Sequence, residues 1–315
     1  MKALVTGGAG FIGSTLVDRL LAEGWSVDVV DNLSSGSLTN LAEARSDRNN
    51  ELSFHQIDIC VDSVVELIER RKPEVVYHLA AQADVRVSVS NPVLDAQINV
   101  IGSINVLEGA RRGGARKVVF ASSGGTIYGE VDASELPVTE AHPLRPLSPY
   151  GITKRVFTDY LAAYREMYQL EYTSLALANV YGPRQDPHGE AGVVSIFAGK
   201  LLDGEPCTIF GTGDQTRDFV FVDDVVDAFY RASDRGGGLL MNIGTGRETS
   251  VNELYRSMAE AAGVTTPAIY APARDGELDR SALDASRAKM QLGWEAWTEI
   301  PEGSRAVIEW ERGRR

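Results

Sequence analysis

Thr6-Gly7-Gly8-Ala9-Gly10-Phe11-Ile12-Gly13 is the stretch on which the fold turns. It closes an apolar run of strand character at 3–6 and opens a helical pattern at 12–23, with Leu16, Leu20 and Leu21 on one stripe and a stop at Gly24. Between strand and helix, glycines permit a tight turn and let a pyrophosphate approach backbone N–H groups at the helix N-terminus, where the dipole favours negative charge. The spacing reads as GxGxxG through Gly8, Gly10 and Gly13, or as GxxGxxG through Gly7, Gly10 and Gly13. Asp31, just past a second strand at 27–30, is the acid such a site turns toward an adenosine ribose, and its charge repels a 2′-phosphate. The expected cofactor is therefore NAD rather than NADP. A plainer alternative, a glycine turn in some other α/β protein with Asp31 as a solvated loop acid, leaves the joint arrival of strand, helix and acid unexplained.

Beyond this unit, strand-length apolar runs at 52–56, 75–79, 117–122 and 172–178 alternate with helical patterns, two of which, 92–112 and 149–167, begin on proline. Such alternation predicts βαβ units and an α/β fold of Rossmann type, a doubly wound parallel sheet. Residues 1–178 are read as the dinucleotide-binding domain. The stretch 179–315 is punctuated by Gly and Pro and is read as a smaller mixed α/β substrate domain, with 219–245 returning to the first. A chain of 315 residues accommodates both, and 43% apolar with 24% charged residues is ordinary for a globular protein.

A net charge of −13 lacks the basic footprint of a nucleic-acid binder. Cys60 and Cys207 form no CxxC or metal-ligand spacing, so a reducing, cytoplasmic setting is expected. No run approaches the about 18 apolar residues of a membrane span, and the N-terminal run is too glycine-broken for a signal segment. His188 and Glu190 lack a third ligand at sensible spacing, and no metal is expected.

Small or polar residues gather at the carboxyl ends of the predicted strands: Asp58 with Ile59, Leu79-Ala80-Ala81, and Ser122-Ser123. In a doubly wound sheet those ends line one crevice. His78, inside an apolar run, reads as a core histidine. Tyr150 and Lys154 lie one turn apart on a predicted helix, so phenol and ammonium share a face. A nearby positive charge favours phenolate, which suits a general base near neutral pH. Ser122, Ser123 and Thr126 are the hydroxyls that can donate to a substrate oxygen as charge develops on it.

TGGAGFIG, HLAAQADVRVSV, ASSGGTIYG, SPYGITK, NVYGPRQDP and RDFVFVDDV, in this order from Met1 to about Trp294, make the chain resemble an extended short-chain dehydrogenase/reductase, and within that group the UDP-galactose 4-epimerase family. The resemblance implies NAD held by Gly7, Gly10, Phe11, Ile12, Gly13, Asp31, Asn32, Ser35, Gly36, Asp58, Ile59, Leu79, Ala80, Ala81, Gln82, Asn99, Ser122, Tyr150 and Lys154. It implies Tyr150 as base, Lys154 as its tuner on the nicotinamide ribose, and Ser123 as the catalytic hydroxyl, since Gly124 stands where relatives often carry Ser or Thr. A UDP-sugar would meet Ser123, Thr126, Tyr150, Asn179, Val194, Thr208, Phe210, Arg217, Arg274, Glu277 and Ser281, and be inverted at carbon 4 without net redox change. No acid stands in Gly124-Gly125-Thr126-Ile127, which argues against dehydration and decarboxylation.

Ser281 takes the place of a bulky Tyr found in members restricted to plain hexoses, so UDP-N-acetylhexosamines are expected to fit. Arg86 keeps a uronate substrate open, and Arg217 can equally pair with Asp218, Asp223 or Asp224. Other readings are a net oxidoreductase on the same scaffold and a non-catalytic NAD sensor. The resemblance also implies a homodimer, with Val156, Tyr160, Leu161, Tyr164 and Tyr168 facing either the core or a partner.

Overall fold

The structure, a computed structural model, describes residues 1–187, 192–273 and 278–315. Its strands are β1 (Lys2–Thr6), β2 (Ser26–Asp31), β3 (Leu52–Gln56), β4 (Val75–His78), β5 (Lys117–Ser123), β6 (Glu171–Leu177) and β7 (Asn179–Tyr181). There follow β8 (Thr208–Phe210), β9 (Thr216–Arg217), β10 (Phe219–Phe221), β11 (Leu239–Ile243), β12 (Thr249–Ser250) and β13 (Ile269–Ala271). Seven of them make one sheet in the order β11-β6-β5-β4-β1-β2-β3, every pairing parallel. The chain lays β1, β2 and β3 outward, then returns to place β4 on the other side of β1. That reversal opens a crevice beyond the carboxyl ends of β1 and β4, the place where such sheets bind ligands.

Side chains along the inner strands alternate between two faces, and both faces are covered. Val5, Tyr77 and Val119 join a core with helices Phe11–Ala22 and Val222–Ala232. Leu4, Val76, Val118 and Phe120 join a second one with helices Ser63–Arg71, Ser103–Gly113 and Pro149–Tyr168. The last of these helices is the one that matters for chemistry: Pro149 opens it and the Ser148 hydroxyl caps it by accepting the Gly151 N–H at 3.1 Å.

The strand expected at 172–178 is β6; directly after it the Asn179 N–H turns to Asp218 and starts β7 against β10. One expectation is corrected. The helix expected over 92–112 is three pieces, Pro92–Ala96, a π-helical stretch Gln97–Gly102, and Ser103–Gly113, preceded by a short helix Val85–Ser90 that Asp84 caps. A π-helical insertion shows no hydrophobic period of its own, which is why sequence reasoning runs straight through it.

In the later part, helices Val193–Asp203, Val251–Ala262 and Ile300–Gly313 pack on one another, and the short strands pair as β8–β13, β9–β12 and β7–β10. Among the described residues no helix is long and apolar enough to cross a membrane.

Candidate active site

The glycine turn is built as a cradle. Gly7 has φ +70°, and a β-carbon on it would lie 2.7 Å from the Ala80 nitrogen; one on Gly13 would lie 2.1 Å from the Gly7 carbonyl oxygen. Only glycine satisfies both limits, one conformational and one steric. Gly10 stands at the N-cap of the helix that begins with Phe11 and Ile12 and offers no side-chain cap, and such an N-terminus suits an anion. Asp31 is buried and its carboxylate accepts from the Ala9 N–H at 2.9 Å and the Leu33 N–H at 2.8 Å, so it fixes the glycine turn to the loop after β2. Gly36 packs on the same turn, 3.0 Å from Ala9 and from Asp31 by its missing β-carbon, while Ser35 is exposed.

Asn32 donates to Asp58 at 2.8 Å, and Asp58 also accepts from the Cys60 N–H at 2.8 Å. Burial works to raise the Asp58 carboxyl, and those bonds overcome it and hold it below the usual range. Ile59 packs under Gly102 in the core. After β4, the N–H groups of Leu79 and Ala80 bond the Thr6 carbonyl and hydroxyl at 3.2 and 3.3 Å, which brings Ala80 and Ala81 beside Gly7. Ser122 is buried at the end of β5 with no hydrogen-bond partner for its hydroxyl among the described residues. A glycine cradle, an acid at the second strand and an orphan hydroxyl in the same crevice fit a dinucleotide.

Tyr150 and Lys154 are both buried on the helix Pro149–Tyr168. The Lys154 ammonium donates to the Ala121 carbonyl at 2.9 Å and stands 5.6 Å from the centre of the Tyr150 ring. Lysine thus reaches the end of β5, one residue from Ser122 and two from Ser123. Ser123 begins a short helix, Gly124–Ile127, and Thr126 in it donates to the Ser123 carbonyl at 3.4 Å. Gly151 lets the two helices touch, since a β-carbon there would lie 2.7 Å from the Thr126 carbonyl oxygen. The Tyr150–Lys154 pair is thereby brought to the strand end that carries Ser122 and Ser123.

The remaining residues stand as follows. Asn179 is exposed at the start of β7, Thr208 and Phe210 are half-buried on β8, and Val194 is 1% exposed in the core. Arg217 donates to the Thr216 carbonyl at 2.8 Å, while Asp218 and Asp224 spend their carboxylates on backbone and threonine donors rather than on Arg217. Ser281 is half-buried two residues before Leu283, which touches the turn Gly124–Ile127 at Gly124. Arg86 grips Asp84, with its guanidinium 2.7 Å away and largely exposed. Arg274 and Glu277 lie outside the described residues, as do His188 and Glu190. Among the described residues no three His, Cys, Asp or Glu side chains are grouped to hold a metal.

The family model described as NAD dependent epimerase/dehydratase matches residues 3–244. The chain belongs to that family. It is 49% identical to a UDP-glucose 4-epimerase of Mycolicibacterium smegmatis over 315 residues, all of this chain and 99% of that one. Its fold is similar to that of the Thermotoga maritima UDP-glucose 4-epimerase solved with UDP-glucose, at TM-score 0.94 and 46% identity, covering 100% and 99% of the two chains. It is also similar to the Thermus thermophilus UDP-glucose 4-epimerase solved with NAD, at TM-score 0.92 and 42% identity over the whole of both chains.

Within this NAD-dependent family site, several working residues carry no motif. Asp95, fully buried, accepts from Gln82, Asn99 and Thr153 at 3.0, 3.0 and 2.8 Å, and Asn99 closes a pair of bonds with the Gln82 backbone. The carboxylate thereby ties the loop after β4 to the helix of Tyr150 and Lys154. The spacing of Asp95 and Asn99 on one helical face was its only trace in the sequence. His78 is a core residue as expected, held between Thr6 at 2.7 Å and Ser103 at 2.8 Å. Burial and the Lys154 ammonium push its imidazole down to about 3.

Proposed function

We propose that the chain catalyses NAD-dependent, redox-neutral 4-epimerisation of a UDP-sugar, interconverting UDP-glucose and UDP-galactose through a transient 4-keto sugar. The observation that carries this reading is the buried Tyr150–Lys154 pair set against the Ser122-Ser123 end of β5, in a crevice whose adjoining turn, Gly124–Ile127, bears no carboxylate. When bound, NAD supplies the acceptor and then the donor of the hydride at carbon 4. Tyr150 takes the proton of the carbon-4 hydroxyl and returns it after the keto sugar has turned over. Lys154, fixed by the Ala121 carbonyl, keeps a positive charge near the phenol, which favours the form that accepts a proton. Ser123 donates to the sugar oxygen as charge develops there. Asn179, Arg217 and the β8 pair Thr208 and Phe210 are assigned to the nucleotide, with guanidinium suited to a pyrophosphate.

Without an acid beside Ser123, nothing in that turn can drive elimination at carbon 5, and Arg86, gripped by Asp84, gives a uronate no special welcome. Ser281 leaves room beside the sugar, so UDP-N-acetylhexosamines are accepted as well. The test is turnover by the purified protein of UDP-galactose, UDP-N-acetylgalactosamine and UDP-galacturonate, each separately, with products resolved by chromatography and absorbance followed at 340 nm. Conversion of the first two to 4-epimers without build-up of NADH is expected. Ser281→Tyr should remove the N-acetylated activity at least tenfold more than the other, and equal loss of both would sink the assignment of Ser281. No conversion even with NAD supplied would reject the epimerase itself.

A further inference from the structure

Asp218 is a buried acid that the proposed reaction does not use. It is 1% exposed between Arg217 and β10. Its Oδ1 accepts from the Thr245 N–H at 2.8 Å and the Thr245 hydroxyl at 2.7 Å; its Oδ2 accepts from the Gly246 N–H at 3.0 Å and the Leu283 N–H at 3.1 Å. Its own carbonyl accepts the Asn179 N–H at 2.9 Å. Gly244 permits this approach, since a β-carbon there would fall 2.5 Å from Oδ2. The carboxylate therefore ties its own segment, at the end of β9, to two others far away in sequence, the turn after β11 and the stretch at Ser281–Leu283, while its backbone carbonyl holds the start of β7. Asn179, Arg217 and Ser281, assigned above to the substrate, lie on segments that Asp218 joins through its carboxylate or its backbone. The contact with Leu283 has a further consequence, because Leu283 reaches the turn Gly124–Ile127, its Cδ1 occupying the space 2.3 Å from where a β-carbon of Gly124 would stand.

We propose that Asp218 is a positioning residue that clasps the nucleotide-sugar cradle together and seats it on the turn Gly124–Ile127 through Leu283. The proposal rests on the reading of this crevice as a UDP-sugar site. Its chemistry is specific to a carboxylate: two acceptor oxygens each face two donors, and three of the four donors are backbone N–H groups that cannot reverse their role. An amide of the same shape must turn its NH2 toward at least one of those N–H groups in either orientation, so Asp218→Asn breaks the clasp without changing volume. The four donors to this carboxylate all lie outside the cofactor cradle at Gly7–Gly13, which should be untouched.

The experiment compares wild type, Asp218→Asn and the milder Thr245→Val by calorimetric titration with UDP and with NAD, and by steady-state kinetics on UDP-galactose. For Asp218→Asn, a tenfold or greater rise in both the UDP Kd and KM is expected, with the NAD Kd and kcat within about threefold of wild type. Thr245→Val, which removes only the hydroxyl donor, should raise the UDP Kd about threefold. A merely structural role would lower the melting temperature and the active fraction but leave KM in place. A folded Asp218→Asn whose UDP Kd and KM stay within twofold of wild type overturns the proposal. If Asp218→Asn does not fold, Thr245→Val decides, and an unchanged UDP Kd there overturns it. A wild type that binds UDP yet turns over no sugar rejects the epimerase reading while the clasp is still judged on UDP affinity; a wild type that does neither rejects both.

Discussion

Gly124 stands where the family resemblance leads one to expect a hydroxyl, and a reason for glycine lies across the molecule. A β-carbon on it would meet Leu283 at 2.3 Å and the carbonyl oxygens of Ala176 and Leu177 at 3.1 and 3.2 Å. The leucine methyl can move and the carbonyls cannot, so a serine here is admitted only with displacement of Leu283. We expect Gly124→Ser to cost about 1–3 kcal/mol in denaturant unfolding, the usual range for an overpacked core. In a Leu283→Ala background the same substitution should cost clearly less, because the two changes share one space and are not additive. Equal costs in both backgrounds would mean that the carbonyls, not Leu283, close the position. The departure at Gly124 was visible in the sequence; its cause was not, since nothing local connects residue 124 with residue 283.

His78 ties elements rather than residues: it ends β4, bonds Thr6 at the end of β1, and bonds Ser103 at the start of the helix Ser103–Gly113. The Ser103 hydroxyl already donates to the Asn99 carbonyl at 2.8 Å, so it accepts from Nε2–H, and Nδ1 accepts from Thr6. A second proton has no acceptor to meet. The ordinary imidazole value of 6.5 falls to about 3 in the fold. The unfolded chain takes up a proton below about 6.5 that the folded chain refuses, so this contribution to stability is complete above that pH and declines on acidification by about 1.4 kcal/mol per unit. His78→Gln should be less stable than wild type at pH 7, with the gap narrowing between pH 6.5 and 4.5 in urea melts; a constant gap would contradict the assignment. Elements of this kind mark the limit of what sequence reveals. The glycine cradle, Asp31 and the Tyr150–Lys154 helix were legible because each is local and its spacing repeats a physical period. The π-helical stretch that presents Asn99, the Asp95 network and the Asp218 clasp were not, because each depends on partners supplied by other elements, and an Asp on a loop looks the same whether it is solvated or holds three segments.

Across the whole molecule, the helix Pro149–Tyr168 that carries Tyr150 leaves an apolar line uncovered. The stripe read from its sequence divides: Leu161 and Tyr164 are buried in the core, whereas Tyr160 and Tyr168 are exposed, and the open side runs through Ile152, Tyr160 and Met167. Helices Val85–Ser90 and Pro92–Ala96, which pack against it, add Val89 at 63% exposure, Val93 at 77% and Leu94 at 41%. Apolar side chains gathered on neighbouring helices of one face are costly to leave in water and suit a second copy of the same surface. We expect a homodimer about this face, with a mass in solution twice the 34.1 kDa of the chain at micromolar concentration. Because association stabilises only the folded state, the melting temperature should rise with protein concentration. Val93→Asp with Ile152→Asp should give a monomer whose melting temperature is lower and independent of concentration. Since the face lies on the back of the Tyr150 helix, and Asp95 at the end of Pro92–Ala96 bonds Thr153 between Tyr150 and Lys154, the monomer should also lose kcat by several fold while its NAD affinity holds. A double variant that remains dimeric would place the interface elsewhere, and one that is monomeric with full kcat would separate assembly from the alignment of the catalytic helix.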